Sequence, residues 1–341
     1  MKPALAIVVL AVLTACSPQP DRYQRELYAF GTEVRIDLRG AGTDAARALA
    51  DDIERQLNRW NRDWYAWGDG ELADVNAQLA VSTRATTTAA MAQRIVEATT
   101  MRDRSDGLFD PTVGAYVALW HFDSGVGEGQ PAPARDAIAR TPARALLTVA
   151  INAASGTATV TTDTPGVVVD LGGIAKGMAM AALREIINAS SIDVAVIDLG
   201  GDVLVVDKHQ RANLRIGIAA PRGGMPPAYL TAANGEAIVT SGDYARFRVV
   251  DGERLHHIID PRTGRPGHGS QAVTVVATEP ILADAAATAL MVAGPALFHE
   301  MAEQMGVNYA LMIDANGHRH STAAMRSRLT WLTEPIETSD E

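Results

Sequence analysis

The sequence predicts an α+β fold, in which mixed or antiparallel sheets pack against helices within a single large domain over residues 26–333. Two hairpin patterns indicate antiparallel strands, because apolar segments flank Gly200-Gly201-Asp202 and also Asp251-Gly252. Helical patterns occur around these hairpins without regular βαβ alternation. The chain has 341 residues, of which 47% are hydrophobic, and this is enough material for a sizeable core.

The first residues have the pattern of an exported bacterial lipoprotein. An apolar run over residues 4–13 is too short for a permanent membrane span and ends near Ala15-Cys16. This pattern resembles a lipobox, which implies a signal peptide over residues 1–15 and a lipidated Cys16 followed by a linker up to residue 25. The alternative is an ordinary signal peptide with a chance cysteine. We therefore expect a protein of the cell envelope that faces the periplasm.

Composition narrows the class of the mature protein. Cys16 is the only cysteine, so the mature domain has no intrachain disulfide, no cysteine metal site and no cysteine nucleophile. The formal net charge of -10 argues against broad nucleic-acid binding. No later run reaches about 18 apolar residues, so we expect a soluble body that a lipid anchor alone holds at the membrane. Residues 334–341 form an acidic tail.

Hydrophobic periodicity predicts the other elements in order along the chain. Residues 33–38 alternate as in a strand, and an amphipathic helix then carries Ala46, Leu49, Ile53, Leu57 and Trp60 on one face. A second helix is predicted over residues 89–104, and surface loops over residues 124–133 and 222–227. Further strands are predicted over residues 167–171, 195–199, 203–206, 247–250, 255–259, 273–277 and 309–313. Further helices are predicted over residues 174–187, 282–292 and 296–305.

The first segment that could carry chemistry runs from Asp170 to Gly177. A predicted strand ends in Gly172-Gly173, and Lys176 lies in the first turn of the next helix. Free N–H groups at a helix start attract anions, a lysine adds to this, and glycines let a ligand approach the backbone. The spacing fits neither a P-loop nor a dinucleotide fingerprint. The alternative is a plain strand-to-helix turn.

The second segment follows Thr240-Ser241-Gly242-Asp243-Tyr244 and runs from His256 to Gly264. It combines two imidazoles, a carboxylate and a guanidinium in nine residues at a strand end, an arrangement typical of a loop site on a rigid scaffold. His257 could act as a base or contact a ligand. The alternative is that Asp260 and Thr263 merely close a turn.

The third segment places Asp284 and Thr288 four residues apart among small apolar side chains, and therefore on one helix face. A carboxylate in such surroundings needs a partner, and a hard cation such as Mg²⁺ would serve. Alternatively, Asp284 caps the helix and Thr288 bonds to the main chain.

A fourth segment is aromatic. Trp60, Trp64, Tyr65 and Trp67 occur within eight residues of a chain in which only 5% of residues are aromatic. They could stack on a planar ring or belong to the core.

Together these segments resemble the FAD:protein FMN transferases, historically called thiamine biosynthesis lipoproteins. The resemblance extends from about residue 28 to residue 296 and keeps the family order of motifs. The motifs are residues 107–114 with a downstream Leu119-Trp120, residues 170–177, residues 198–202, residues 240–244, residues 257–264, and Asp284 with Thr288.

The resemblance implies a flavin-transferase-type domain and an activity. Family members split FAD, attach FMN through a phosphoester bond to a Thr or Ser of an acceptor protein, and release AMP. Mg²⁺ is required. The implied acceptors are flavin-bearing subunits of membrane redox complexes, which carry an Asp followed shortly by a Ser/Thr-Gly-Ala-Ser/Thr stretch. The present chain has no such stretch, so self-modification is not expected.

The resemblance also implies roles at matching positions. Asp284 and Thr288 would bind Mg²⁺ together with the carbonyl of Gly173. His257 would lie beside the reacting phosphate as a base or an orienting group. The implied contacts to FAD are Phe30, Leu108, Phe109, Asp110, Asp170, Lys176 and Ile258.

Two positions depart from the family pattern. Phe30-Gly31-Thr32 replaces the usual Met-Gly-Thr, and residues 67–72 replace a Ser-Glu-Leu-type segment. These departures leave open which of Trp64, Tyr65 and Trp67 contacts the flavin.

Two other functions remain compatible with the sequence. A metal-dependent FAD pyrophosphatase would use water in place of the acceptor hydroxyl and give free FMN and AMP. A flavin-carrier lipoprotein would bind FAD without chemistry, although Asp284, Thr288 and His257 would then have no purpose.

Overall fold

The computed structural model describes residues 22–122, 132–210, 212–250 and 252–334. Cys16 with its signal sequence, the tail beyond residue 334 and most of the loop predicted at residues 124–133 lie outside the described residues. The helices are α1 (Thr43–Asp63), α2 (Glu71–Val81), α3 (Ala89–Arg104), α4 (Gly114–Leu119), α5 (Arg135–Arg140), α6 (Ala175–Ala189), α7 (Pro280–Met305) and α8 (Ala323–Arg328). The strands are β1 (Arg22–Ala29), β2 (Thr32–Arg39), β3 (Arg84–Thr88), β4 (Leu147–Asn152), β5 (Thr157–Thr162), β6 (Val194–Leu199), β7 (Asp202–Asp207), β8 (Arg215–Gly217), β9 (Ala228–Thr231), β10 (Ala237–Gly242), β11 (Phe247–Val250), β12 (Glu253–His256), β13 (Ile259–Asp260), β14 (Arg265–Pro266), β15 (Ser270–Ala277), β16 (Tyr309–Asp314), β17 (Arg319–Ser321) and β18 (Thr330–Trp331).

A central sheet organises the described part of the chain. It has eight strands in the order β1-β2-β6-β7-β10-β15-β16-β17, and the neighbouring strands pair antiparallel. Antiparallel pairing brings the turn Phe30-Gly31, the turn Gly200-Gly201 and the end of β10 at Gly242 to one end of the sheet. We call this end the glycine end. Strand β1 enters the sheet at Arg22, at the opposite end.

The central sheet separates two hydrophobic cores. Leu204 and Val206 of β7 face a large core that α1, α3, α6 and α7 share, whereas Val203 and Val205 face a smaller core with β8, β9 and α8. Strand β7 is consequently buried along its whole length, because successive side chains of a strand point to opposite faces.

The predicted α+β class is confirmed, and so are most of its elements. Helix α3 has the predicted bounds, and α1 buries the predicted face. The predicted hairpins appear as β6-β7 and β11-β12, although the second strand of the latter ends at His256 and residues 259–260 form the separate strand β13. Residues 222–227 form a loop as predicted.

The two helices predicted over residues 282–292 and 296–305 are the arms of α7. They meet at Gly294, whose φ of 66° is not helical, and at Pro295. Within the described residues, α7 is the one helix long and apolar enough to cross a membrane, but 72% of its apolar window is buried inside the protein. Burial of this kind is typical of a core helix.

Strand β1 begins inside the segment that the sequence assigned to a linker ending at residue 25. Its inward positions include Arg25, which interrupts the apolar alternation. Arg25 Nη1 lies 2.6 Å from Asp51 Oδ1 and 2.9 Å from Glu54 Oε2, both on α1. This ion pairing between β1 and α1 explains why hydrophobic periodicity did not reveal β1.

Residues 167–171 do not form the predicted strand. Their only pairing is an isolated parallel bridge between Val168 and Val113. The Asn76 side chain instead binds both backbone groups of Val169, accepting its N–H at 2.8 Å and donating to its carbonyl at 2.9 Å. Asp170 N–H donates to the carbonyl of Pro111 at 2.8 Å. Because these partners satisfy the buried backbone, no neighbouring strand is needed.

Helices α6 and α7 are in close contact at Gly177. A Cβ at this position would lie 2.5 Å from the Pro280 carbonyl oxygen and 2.8 Å from Asp284 Cβ. Gly177→Ala is therefore expected to lower the free energy of unfolding by about 1–3 kcal/mol. Denaturant unfolding would measure this loss. The matched control is Gly42→Ala, where nothing lies within 4 Å of an added Cβ; equal losses in both variants would contradict the prediction.

Candidate active site

The glycine end of the central sheet gathers most of the residues that the sequence singled out. Lys176 lies there in the first turn of α6, and its ammonium group forms an ion pair with Asp202 at the start of β7. The other carboxylate oxygen of Asp202 accepts a hydrogen bond from Thr240 N–H at 2.8 Å. Burial alone would lower the pKa of Lys176, but Asp202 and Asp284 outweigh it and raise that pKa. Lys176 is therefore a fixed positive charge.

Asp284 lies on the first arm of α7 and is only 3% exposed. Its Oδ2 accepts a hydrogen bond from Gly177 N–H at 2.7 Å, so the carboxylate meets the first turn of α6. Burial raises the pKa of Asp284 to about 6, and Lys176 opposes this shift. A buried carboxylate whose pKa is raised in this way is ready to accept a cation.

Thr288 faces the same space one helical turn further along α7. Its Oγ1 lies 3.4 Å from Ser241 Oγ of β10. A Cβ placed on Gly173 would lie 3.3 Å from Thr288 Oγ1 and 3.3 Å from Phe109 Cε2. The structure thus brings together the three predicted metal ligands, Gly173, Asp284 and Thr288, although their sequence separations are large.

His257 follows β12 and is half-buried. Its backbone N–H donates to the Arg246 carbonyl at 3.1 Å, and its Nδ1 lies 3.2 Å from the same oxygen. Because a carbonyl only accepts, Nδ1 carries the proton and Nε2 keeps a free lone pair. Burial, followed by the charges of Arg246 and His256, lowers the pKa of His257 to about 3.

The lowered pKa of His257 predicts a contribution to acid sensitivity. The group stabilises the fold fully above its ordinary value of 6.5, and this stability is lost as the pH falls from 6.5 toward 3. His257→Gln should therefore lose less unfolding free energy between pH 7 and pH 4, by on the order of 1 kcal/mol after discounting for partial exposure. Thermal melts at both pH values would measure this. The exposed His299→Gln is the control, and an unchanged pH response of His257→Gln would contradict the prediction.

Asp170 caps the glycine turn that precedes α6. Its Oδ1 accepts a hydrogen bond from Gly172 N–H at 2.8 Å. Burial raises the pKa of Asp170, while that bond and the charge of Arg246 oppose the shift. This carboxylate therefore shapes the turn and lies within electrostatic reach of the β10–β11 connection.

Leu108, Phe109 and Asp110 are buried, and the Phe109 ring lies against Gly173. Asp110 Oδ1 accepts bonds from Thr112 N–H at 2.8 Å and Thr112 Oγ1–H at 2.7 Å. Its Oδ2 lies 3.4 Å from Arg102 Nε but has no hydrogen-bond partner among the described residues. Burial raises the pKa of Asp110. These bonds give Asp110 a role in holding the turn.

The aromatic residues occupy the glycine end at the β1–β2 turn. Phe30 has a φ of 52° and Gly31 a φ of 71°, as in the primed turns of two-residue hairpins. Phe30 N–H donates to Asn61 Oδ1 at 2.7 Å. The Phe30 ring centroid lies 6.2 Å from that of Trp64, which stacks on Trp60 at 5.3 Å. Trp64, one of the three aromatic candidates, therefore lies beside Phe30.

Ile258 is buried next to His257 in the chain. It is 7% exposed and belongs to the large core, and its carbonyl accepts a hydrogen bond from Gly267 N–H at 2.9 Å. Its N–H lies 3.3 Å from His256 Nδ1. Ile258 therefore fixes the backbone beside His257.

Three residues of the site had no role in the sequence interpretation. Asp202 and Ser241 lay within recognised motifs, but their partners Lys176 and Thr288 are distant in sequence. Arg246 lay between two motifs. The one sequence signal for Arg246 is its position two residues after Tyr244, where the motif of residues 240–244 ends.

A search for related proteins decides the family. The model of the ApbE family matches residues 30–312. The chain belongs to the ApbE family. The match contains every predicted FAD, Mg²⁺ and catalytic residue from Phe30 to Thr288, so the motifs that the sequence singled out belong to one family domain.

Several ApbE relatives are similar over most of this chain. The FAD:protein FMN transferase of Rhodobacter capsulatus is 36% identical over 93% of this chain and 60% of its own length. That of Treponema pallidum is 34% identical over 66% of this chain and 66% of its own length. The chain thus spans less than two thirds of each of these relatives. The crystal structure of the ApbE protein from Thermotoga maritima matches with a TM-score of 0.78 and 29% identity, over 90% of this chain and 99% of that chain.

Proposed function

We propose that this ApbE-family protein is an FAD:protein FMN transferase, which moves FMN from FAD to a Thr or Ser hydroxyl of an acceptor protein and releases AMP. One observation carries the proposal. Lys176, Asp284 and Thr288 meet beside the Gly172-Gly173 turn, where a cation and a phosphate could be held together. Relatives that bear this enzyme name share the family domain.

The reaction replaces one phosphorus–oxygen bond by another. The acceptor oxygen bonds to the phosphorus of the FMN half, the bond from that phosphorus to the bridging oxygen breaks, and AMP leaves with the bridging oxygen. The hydroxyl proton needs an acceptor, and the free Nε2 lone pair of His257 supports this role. With its pKa near 3, His257 first orients the hydroxyl through a hydrogen bond. The nearby phosphate charges would raise that pKa.

We propose Mg²⁺ as the metal, held by the Asp284 carboxylate, the Thr288 hydroxyl and the Gly173 carbonyl. All three are hard oxygen ligands, which Mg²⁺ prefers. No cluster of three or more His, Cys, Asp or Glu side chains that could hold a metal occurs in the described ranges. A site with a single carboxylate suits an ion that takes its other ligands from substrate phosphates and water. When bound, Mg²⁺ would neutralise charge on the reacting phosphate.

FAD would extend across the glycine end. Phe30 and Trp64 offer aromatic faces for one ring system, while Lys176 and the Gly172-Gly173 turn face the pyrophosphate. Strand β2, which starts beside Phe30, is two strands away from β7, which starts at Asp202, a separation of about 10 Å. This span suits a dinucleotide in extended form. The contacts to Leu108, Phe109, Asp110, Asp170 and Ile258 remain part of the proposal.

The sequence also supports a proposal for how the enzyme is anchored, which compartment it faces and which acceptors it modifies. We propose a lipid anchor at Cys16, a periplasm-facing domain, and acceptors that carry an Asp followed by a Ser/Thr-Gly-Ala-Ser/Thr stretch in a redox subunit. The lipobox pattern at Ala15-Cys16 supports the anchor. Metabolic labelling with a fatty acid should mark the protein and fail to mark Cys16→Ser.

The activity can be tested by mixing the purified protein with FAD, Mg²⁺ and a redox-subunit domain that carries the acceptor stretch. Covalent flavin fluorescence on the acceptor in a denaturing gel, lost when EDTA removes Mg²⁺, is the expected result. A dark acceptor with release of FMN and AMP would show a pyrophosphatase. A dark acceptor with intact FAD would favour a carrier and overturn the proposal.

A further inference from the structure

Arg246 occupies an exposed position beside the residues of the candidate active site. It lies in the connection between β10, which carries Ser241, and β11. Its carbonyl oxygen accepts the backbone N–H of His257 at 3.1 Å and lies 3.2 Å from His257 Nδ1. Two contacts to one oxygen tie the Arg246 backbone to the His257 ring. The Arg246 backbone is therefore fixed beside His257.

The guanidinium of Arg246 has no ion pair or side-chain hydrogen bond within the described ranges. Three nearby arginines are engaged: Arg222 pairs with Asp243 at 2.6 Å, Arg262 pairs with Asp260 at 3.0 Å, and Arg254 stacks on Phe247 at 3.8 Å. A fourth, Arg248, is buried over the Trp120 ring, and its Nε and Nη2 have no hydrogen-bond partner among the described residues. The charge of Arg246 nevertheless acts on three site residues, because it contributes to the pKa shifts of Asp170, Lys176 and His257. The charge of this unpaired cation therefore reaches the candidate active site.

The charge balance of the site favours a second cation. Asp170, Asp202 and Asp284 are carboxylates, and Lys176 is the one ammonium group that faces them among the described residues. A pyrophosphate adds a negative charge on each phosphate, and a divalent metal offsets only part of the total. Since the Asp202 carboxylate already offsets the charge of Lys176, the phosphate oxygens need a second cation beside Lys176, and the free guanidinium of Arg246 can supply it.

We propose that the Arg246 guanidinium binds the pyrophosphate of FAD and stabilises the phosphate under attack by the acceptor hydroxyl; this inference rests on the transferase function proposed above. Guanidinium offers parallel N–H donors that match phosphate oxygens, and its charge persists at any working pH. As the bond to the bridging oxygen breaks, negative charge shifts among the phosphate oxygens and onto the departing AMP oxygen. A donor aimed at those oxygens therefore favours the transition state.

The test compares Arg246→Ala, Arg246→Lys and the unaltered protein, with Arg254→Ala as a matched control from the adjoining hairpin. Flavin transfer at saturating FAD and Mg²⁺ gives kcat. In the absence of acceptor, inorganic pyrophosphate with Mg²⁺ is used to displace bound FAD, and flavin fluorescence monitors the displacement. This titration gives the inhibition constant of pyrophosphate. Riboflavin, which has no phosphate, reports on ring binding alone.

The expected result for Arg246→Ala is a fall in kcat of about 100-fold and a rise in the pyrophosphate inhibition constant of about 10-fold. Arg246→Lys should recover part of both, and added methylguanidinium should partly restore Arg246→Ala. Arg254→Ala should change neither quantity, and riboflavin binding should stay constant throughout.

Two results would overturn the proposal. One is that Arg246→Ala keeps both quantities within about threefold of the unaltered protein, a change smaller than a typical charged hydrogen bond produces. The other is that riboflavin binding weakens as much as pyrophosphate binding, since Arg246 would then act on the shape of the pocket. If the unaltered protein transfers no flavin, the proposed function fails, and the pyrophosphate displacement still decides whether Arg246 binds phosphate.

Discussion

Asp284→Asn is expected to abolish flavin transfer while the protein stays folded. Asparagine keeps an oxygen that can accept the Gly177 N–H bond seen at 2.7 Å, so the contact between α6 and α7 survives. It removes the only carboxylate of the proposed Mg²⁺ site. The loss of activity should be on the order of 10³-fold, because a bound metal supplies several kcal/mol of charge stabilisation.

The same variant should respond differently to metal. Burial disfavours the charged form of Asp284 in the metal-free protein and raises its pKa to about 6, so removing the charge should leave the metal-free melting temperature unchanged or higher. Mg²⁺ should raise the melting temperature of the unaltered protein but not that of Asp284→Asn. Asp193→Asn, half-exposed and distant from the site in the fold, is the control. Retention of Mg²⁺-dependent activity in Asp284→Asn would refute the assigned ligand.

Lys176→Met is expected to have the largest effect on stability. It leaves Asp202, which is 1% exposed, without the ammonium group that pairs with it. Breaking a buried pair by removing one partner costs about 3–5 kcal/mol, because the remaining charge is uncompensated. Denaturant unfolding followed by tryptophan fluorescence would measure this loss, and flavin transfer should fall with it.

A double variant separates the two effects of Lys176. Lys176→Met combined with Asp202→Asn leaves neither partner of the ion pair charged and keeps an acceptor for Thr240 N–H, so most of the lost stability should return. Its flavin transfer should stay low, because the cation for the phosphate is still missing. A single variant as stable as the unaltered protein would mean that the pair is well solvated and contributes little.

The sequence predicted those parts of the fold that depend on local pattern. A repeating apolar face predicts helices such as α1 and α3, and glycine turns predict the hairpins. Strand β1 did not, because Arg25 on its inner side is compensated by Asp51 and Glu54 from a distant helix. Residues 167–171 looked like a strand because they are apolar, but their backbone partners are Asn76 and the segment near Pro111.

In the candidate site, too, the sequence predicts single residues but not the contacts between them. Motif residues such as Lys176, Asp284 and Thr288 could be named from their chemistry and order along the chain. Their mutual contacts could not, since the Asp284–Gly177 bond joins residues that are 107 positions apart. Arg246 belongs to none of the recognised motifs. Its place at the site becomes visible only through the tertiary contact between its carbonyl and His257.

The direction of β1 has a consequence for how the proposed anchor presents the enzyme. The strand enters the sheet at Arg22 and reaches the glycine end only at Ala29, a path of about 24 Å. A lipid attached upstream of Arg22 would pull on the far end of the sheet and leave the Lys176 end pointing outward. The anchor and the catalytic end would then lie at opposite ends of the sheet. Acceptor domains of neighbouring membrane complexes would reach the catalytic end from the side that faces away from the lipid surface.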